Sequence, residues 1–285
     1  MIKTGSMRRK PIIGLIYDFD GTLSPGNMQE FGFIQAIGQT PAEFWAKSDC
    51  IAIGQDASNI LAYMKLMHDE AKKNHIRLTR EGFRRYGTDI KLYEGVRDWF
   101  RNINAYGQEH GVIIEHYINS SGLTEIIEGS PIAKEFKHIF AGSFIYDENG
   151  EAEWPGIAVD FTAKTQYLFK IQKGIFSSRD AKRVNESWAD DDKRLPFTNM
   201  IYFGDGDTDV PSMKLVKMSG GHAIAVFDPS RPGKKETAQK LLRQDRVNFI
   251  TPATYTRDSR TFRLVCAIID KIKADTDLRQ FTRYK

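Results

Sequence analysis

An α/β fold is predicted for this 285-residue chain, and three observations carry the prediction. Apolar runs of strand length, each closing on small or acidic residues, recur at four places along the chain. Segments with helical apolar spacing lie between them, and strands that alternate with helices are joined by crossovers into a parallel sheet. The runs themselves are nearly unbroken, as in strands covered on both faces, so helices are expected on both sides. The architecture that follows is a three-layer, Rossmann-like parallel sheet core with an inserted, mostly helical cap domain.

The first run, "PIIGLIYDFD" (11–20), carries Ile12, Ile13, Leu15 and Ile16 and opens the core. Residues 25–91 read differently. There "NMQEFGFIQAIG" and "NILAYMKLMHDEAKKNHI" show helical patterns and no buried strand, so this stretch is expected to form the cap, set between core segments 7–24 and 92–285. Val96, Trp99, Phe100, Ile103 and Tyr106 then follow the spacing of an amphipathic helix. The second run is "GVIIEHYINSSG" (111–122), and "FIYDENGEAEW" (144–154) predicts a hairpin turning at Asn149 and Gly150. "TAKT" opens a helix at Lys164, and the polar "SSRDAKRVNESWADDDKRLP" (177–196) is expected to be a surface loop. "NMIYFGDGD" (199–207) and "GHAIAVFDP" (221–229) complete the strand runs. In such sheets ligands bind beyond the carboxyl ends of the strands. Every acidic cluster falls there, and the helical insertion follows directly.

Composition excludes several functional classes. Lys+Arg 41 against Asp+Glu 37 gives a formal +4, too mild and too dispersed for a nucleic-acid or membrane-surface binder. No apolar stretch is long enough to span a bilayer. "MIKTGSMRRKP" has no apolar region after its basic residues and does not read as a secretory signal. Residues 1–6 are left out of the fold argument. Two cysteines, Cys50 and Cys266, are too few for a disulfide scaffold, which favours a reducing cytoplasm. A monomer or homodimer is expected.

The chemistry-bearing residues lie in four places: Asp18 and Asp20; Ser120 and Ser121 with Gly122; Lys164; and Asp205, Asp207 and Asp209 in "FGDGDTDVP". Paired carboxylates at strand ends repel one another unless a cation or a division of roles relieves them. Carboxylates joined by waters and a substrate phosphate are what Mg²⁺ requires, and a carboxylate can itself attack phosphorus. Asp18, ionised and metal-bound, is the candidate nucleophile, and Asp20, turned away, the candidate acid and base. Neither cluster is a calcium loop, because the twelfth positions are Gln29 and Val216 rather than glutamate. Lys164 is preferred over Lys170 and Lys173 because it opens its helix nearest a strand end, and Asp207 is assigned to the turn. His116 and His222 are read as structural. Trp45, Phe31 and Phe33 are candidates for the cap lining, although aromatics at such spacing more often fill cores.

This combination resembles the haloacid dehalogenase superfamily, and within it the phosphoserine phosphatase-like phosphatases with a helical cap inserted after the first motif. "DFDGTL" matches the first motif, "INSSG" the second, Lys164 the third, and "GDGDTD" the fourth through Asp205 and Asp209. The resemblance implies that Mg²⁺ is held by the Asp18 carboxylate, the Asp20 carbonyl and Asp205, with Asp209 supporting. It implies that Ser120, Ser121, Gly122 and Lys164 hold the phosphate, and that Asp18, Asp20 and Lys164 are catalytic. The expected activity is hydrolysis of a small phosphorylated metabolite through an aspartyl-phosphate. A phosphomutase or phosphotransferase and a catalytically silent phospholigand-binding module are the alternatives. One position departs from the pattern: where phosphoserine phosphatases place a glutamate for the substrate amino group, this chain has Asn27, with Glu30 three residues on.

Overall fold

The computed structural model describes residues 10–189 and 192–281. The basic start of the chain, residues 7–9 of the expected core, Asp190 and Asp191 of the polar loop, and residues 282–285 lie outside them. A seven-stranded sheet runs through the molecule in the order β4-β3-β2-β1-β5-β6-β7. Its strands are β1 (Ile12–Tyr17), β2 (Ile113–Leu123), β3 (His138–Tyr146), β4 (Ala152–Ile157), β5 (Met200–Gly204), β6 (His222–Phe227) and β7 (Phe249–Pro252). Only the β3–β4 pair is antiparallel. The four apolar runs are β1, β2, β5 and β6, and the expected hairpin is β3–β4. Its turn is closed by Asp147, whose Oδ1 accepts the Asn149 and Glu151 N–H groups at 2.9 and 2.8 Å.

Alternation along each strand splits the core in two. Ile13, Leu15, Tyr17, Ile201, Phe203, Ile224 and Val226 face one layer, where they pack with α5 (Val96–Glu109) and α10 (Arg260–Phe281). Ile16, Tyr117, Tyr202, Ala223 and Ala225 face the other, with α7 (Ala163–Lys173), α8 (Val210–Met218) and α9 (Lys234–Arg243). Both faces are therefore covered, which is why β1 and β6 read as continuous apolar runs. Among the described residues no helix is long and apolar enough to cross a membrane.

The chain leaves the sheet after Leu23 and returns at Tyr93, whose N–H donates to the Leu23 carbonyl at 3.0 Å. Between them lie the one-turn α1 (Phe33–Ala36), α2 (Pro41–Gln55), α3 (Asn59–Lys73) and α4 (Arg80–Thr88). Local signals set their starts. Thr40 and Glu43 form a reciprocal capping box with Pro41 in the first turn of α2, and Ser58 and Thr79 cap α3 and α4. The insertion is fastened to the core through α4, which lies on α6 (Thr124–Gly129) with Arg84 paired to Glu128 at 2.7 Å. Phe83 stacks on Phe144 of β3 at 5.6 Å. Its apolar residues are continuous with the α5/α10 layer. Of the aromatics considered for the cap lining, Phe33 is fully buried and packs on Phe44 and Tyr86, and Phe31 packs against the same cluster.

The polar stretch 177–196 departs from the simple loop expected. Ser178–Asn185 winds into 3₁₀ turns, and the end of the stretch is anchored: Leu195 is fully buried, and Arg194 pairs with the Glu115 carboxylate in a two-pronged contact.

One buried polar chain crosses the α5 layer. The Trp99 indole N–H donates to Tyr17 Oη at 2.8 Å, Tyr17 meets His116 Nδ1 at 3.0 Å, and His116 Nε2 meets Asn104 Oδ1 at 3.0 Å. A neutral imidazole carrying its proton on Nε2 satisfies every member. Burial pulls the His116 pKa from its ordinary 6.5 down to about 3. The unfolded chain then binds the extra proton first, so stability is lost as pH falls from 6.5 toward 3. At pH 5 this ring alone should cost about 2 kcal/mol. Denaturant unfolding between pH 7 and 5 should therefore show a shallower pH slope for His116→Gln than for the wild type, and equal slopes would refute the neutral, buried ring.

Candidate active site

The carboxyl end of β1 shows how two acids two residues apart avoid sharing a face. The Asp18 N–H donates to the Phe203 carbonyl at 2.9 Å as the last rung between β1 and β5. The chain then turns at once: Leu23 and Ser24 donate to the Phe19 carbonyl at 2.9 and 3.1 Å. Gly21 holds φ +73°, and a Cβ there would fall inside the Asp205 carboxyl, so only glycine fits. Phe19 is fully buried in the turn. As a result the Asp18 carboxylate faces the sheet end, whereas Asp20 Oδ1 accepts the Met28 N–H at 3.0 Å from the insertion.

Lys164 is the centre of the site. It is fully buried at the start of α7, and its ammonium donates to Asp18 Oδ2 at 3.0 Å and Asp209 Oδ1 at 2.8 Å. The Asn119 amide, within β2, donates to the Lys164 carbonyl at 3.0 Å. Lys170 lies over the Tyr167 ring and Lys173 donates to the Val184 carbonyl, so geometry singles out Lys164 among the three. The Asp18 carboxylate is completed by the Phe19 N–H at 2.7 Å. Asp209 also accepts the Tyr202 hydroxyl at 2.8 Å, and its other oxygen is buried with no partner among the described residues. Asp205 accepts Lys234 at 2.8 Å. Asp207 is exposed at the head of its 3₁₀ turn.

Oxygens of Asp18, Asp205 and Asp209 lie within 4.8 Å of one another. Burial, then repulsion from Asp209, raises the Asp18 pKa to about 7 against the opposing pull of Lys164. Burial, then the neighbouring Asp18, raises the Asp20 pKa well above its ordinary value. Burial also raises Asp205, with Lys234 opposing. Burial alone would favour a neutral Lys164, but the Asp18 and Asp209 carboxylates outweigh it and keep the ammonium charged. An all-oxygen donor set with one unpartnered buried carboxylate oxygen fits a hard divalent cation.

These groups open into a cavity of about 280 Å³. Its core side is Asp18, Asp20, Ser120, Ser121, Gly122, Asp205 and Thr208. Ser120 Oγ accepts the Gly122 N–H at 3.1 Å, and the Ser121 hydroxyl oxygen is buried without a partner among the described residues. Gly122 admits Met28, which a Cβ would displace. The far side is built by the insertion from Asn27, Gln29, Trp45, Ser48, Asp49, Asn59, Ile60 and Tyr63. The Tyr63 hydroxyl donates to the Ser121 carbonyl at 2.8 Å, and Ser58 to Asp160 at 3.3 Å, tying the two sides together.

The structure thus gathers Asp18, Asp20, Ser120, Ser121, Gly122, Lys164, Asp205 and Asp209 at one end of the sheet. Sequence reasoning passed over Tyr202, Lys234, Gln29 and Tyr63. Tyr202 carries a usable signal, a hydroxyl inside a buried apolar run three residues before Asp205. Lys234 follows the β6 end and obeys the strand-end rule. Gln29 and Tyr63 sit in helical patterns that do not reveal which residues face the core.

Comparison with known proteins agrees with this fold. An uncharacterized protein of Borreliella burgdorferi is 27% identical over 285 residues, spanning 89% of this chain and 95% of the relative. A HAD family hydrolase from Salmonella enterica has a similar fold, with TM-score 0.53 and 17% identity over 80% of this chain; the match spans 66% of that protein. A probable phosphoserine phosphatase from Vibrio cholerae gives TM-score 0.54 and 13% identity, over 94% of this chain and 67% of the other. At such identities the two structures speak to the fold alone. The family model for haloacid dehalogenase-like hydrolases matches residues 15–214, a span running from β1 into α8 that takes in every element of the acidic site, and the chain belongs to that family.

Proposed function

We propose that the chain is a Mg²⁺-dependent phosphatase that hydrolyses a small phosphorylated metabolite through an aspartyl-phosphate on Asp18, with residues 25–91 acting as its cap. The observation that carries this reading is the buried Lys164 ammonium, which holds a nucleophile-ready Asp18 at a strand end while Asp20 stands apart at the cavity wall. Unpaired cysteines, Cys50 and Cys266, are consistent with a cytoplasmic setting.

The steps follow from the residues. Ser120, Ser121 and Gly122 receive the phosphate beside Lys164, whose charge opposes the negative charge of the phosphoryl oxygens. An Asp18 oxygen attacks phosphorus, the phosphorus–oxygen bond to the alcohol breaks, and Asp20 gives its proton to the departing oxygen. The Asp20 carboxylate then takes a proton from water as that water attacks phosphorus, releasing Asp18 and inorganic phosphate. Held by Asp18, Asp205 and the Asp20 carbonyl, with Asp209 in support, Mg²⁺ would add positive charge against the phosphoryl oxygens.

Asp18→Asn should abolish both phosphate release and the acid-stable, hydroxylamine-sensitive label from radioactive substrate; persisting label would remove Asp18 as the nucleophile. In single turnover, Asp20→Asn should lose about 10²–10⁴-fold on an alkyl phosphate and far less on an aryl phosphate with an acidic phenol. Equal losses on both would remove the acid role. Chelation should stop phosphate release and Mg²⁺ restore it, and full turnover in excess chelator would contradict the metal requirement. Phosphate release measured against transferred product separates hydrolysis from phosphoryl transfer to a second alcohol.

A further inference from the structure

The cavity is chemically one-sided. On the core side Lys164 stands behind the Asp18 carboxylate, and a cation held by the carboxylate cluster would add positive charge for a phosphate there, whereas among the described residues no lysine, arginine or histidine lines the cavity from the insertion. Several of the insertion's cations are paired elsewhere. Lys47 precedes Ser48 and Asp49 on α2, yet turns away to Glu70 at 3.5 Å, while Arg80 and Arg84 pair with Glu125 and Glu128 at 3.3 and 2.7 Å.

What the wall does offer is one carboxylate, neutral polar groups including Ser48 and Asn59, and ring surface. Gln29 is 2% exposed, lines the cavity, and has a side-chain oxygen with no hydrogen-bond partner among the described residues. Asp49 is the wall's one charged side chain among the described residues. Trp45 and Tyr63 stand edge to face at 5.9 Å. Each spends its polar tip on the frame, Trp45 on Glu30 at 2.9 Å and Tyr63 on the Ser121 carbonyl, which leaves ring carbons for the ligand. Glu30 is itself occupied by Trp45 and by the Asn27 amide at 2.9 Å, and it does not line the cavity.

From this wall we infer that the alcohol released by the enzyme carries hydrogen-bond donors, hydroxyl or ammonium, and no second anionic group. The inference rests on the phosphatase reading and names its substrate class. A carboxylate or second phosphate on the alcohol would face the solvent-exposed Asp49 carboxylate and be desolvated against the Gln29 oxygen, with no cation from the wall to meet it. A donor would satisfy both, and a hydrocarbon backbone would lie on the rings.

Two pairs of esters isolate the anion: phosphoethanolamine against phosphoserine, and glycerol phosphate against phosphoglycerate, with an aryl phosphate reporting the catalytic machinery. They are read as kcat/KM or, where turnover is too slow, as inhibition constants against aryl phosphate hydrolysis. The uncarboxylated member should be favoured in each pair by at least about tenfold. The better pair identifies ammonium or hydroxyl as the recognised donor. Asp49→Lys should shift both ratios toward the carboxylated member by about tenfold. Aryl phosphate turnover with both ratios at one or inverted, or ratios unmoved by Asp49→Lys, overturns the inference and leaves the phosphatase reading intact. No phosphate release from the aryl ester or any of the four overturns both.

Discussion

A single buried ammonium makes the acidic end of this sheet possible. Asp18, Asp205 and Asp209 bring carboxylate oxygens within 4.8 Å of one another, two of the three residues being buried. Carboxylates at that separation in a poorly solvated site repel strongly and drive one another toward the protonated form. Lys164, with no exposed surface, contacts two of them directly and stays charged because of them. The dependence is mutual: without the carboxylates the buried lysine would be the liability, and without the lysine the carboxylates would be.

The fold supplies the convergence. β1 and β5 are neighbours in a parallel sheet, so their carboxyl ends lie side by side and deliver Asp18 and Asp205 to the same edge. β2 lies on the other side of β1 and brings Ser120 to that edge, while its Asn119 grips the backbone of α7 and so aims Lys164. The Asp205–Asp209 turn is tight enough that a Cβ on Gly204 would collide with the Asp209 carboxyl. The insertion leaves and rejoins the core within one hydrogen bond, which sets its wall across the mouth of the site.

Much of this was legible before any coordinates. β1, β5 and β6 are buried on both faces and almost unbroken in apolar character, and β2 carries an apolar run interrupted by Glu115 and His116, so pattern marks them. β7 was not, because Phe249–Pro252 is four residues long and ends in proline. β3 was seen only through its hairpin half; its pairing to β2 depends on a partner more than ten residues away, which no local pattern records. In the site, Asp18, Asp20, Asp205 and Asp209 announce themselves by spacing at strand ends. Tyr202 and Lys234 do not, since their relevance comes from which carboxylate they happen to meet. The wall was the least legible part: Gln29, Asp49 and Tyr63 belong to helical segments whose orientation depends on long-range packing, α2 on α3 and α3 on β4.

The central claim is that Lys164 and the carboxylates stabilise one another, and a double-mutant cycle measures this directly. Unfolding free energies would be taken for wild type, Lys164→Met, Asp209→Asn and the double variant, all in chelator so that no cation substitutes for the ammonium. Lys164→Met alone should lose about 3–5 kcal/mol, because it strands buried charge. Adding Asp209→Asn should return part of that loss, giving a coupling of about 2 kcal/mol or more. Losses that simply add, within about 0.5 kcal/mol, would contradict the account.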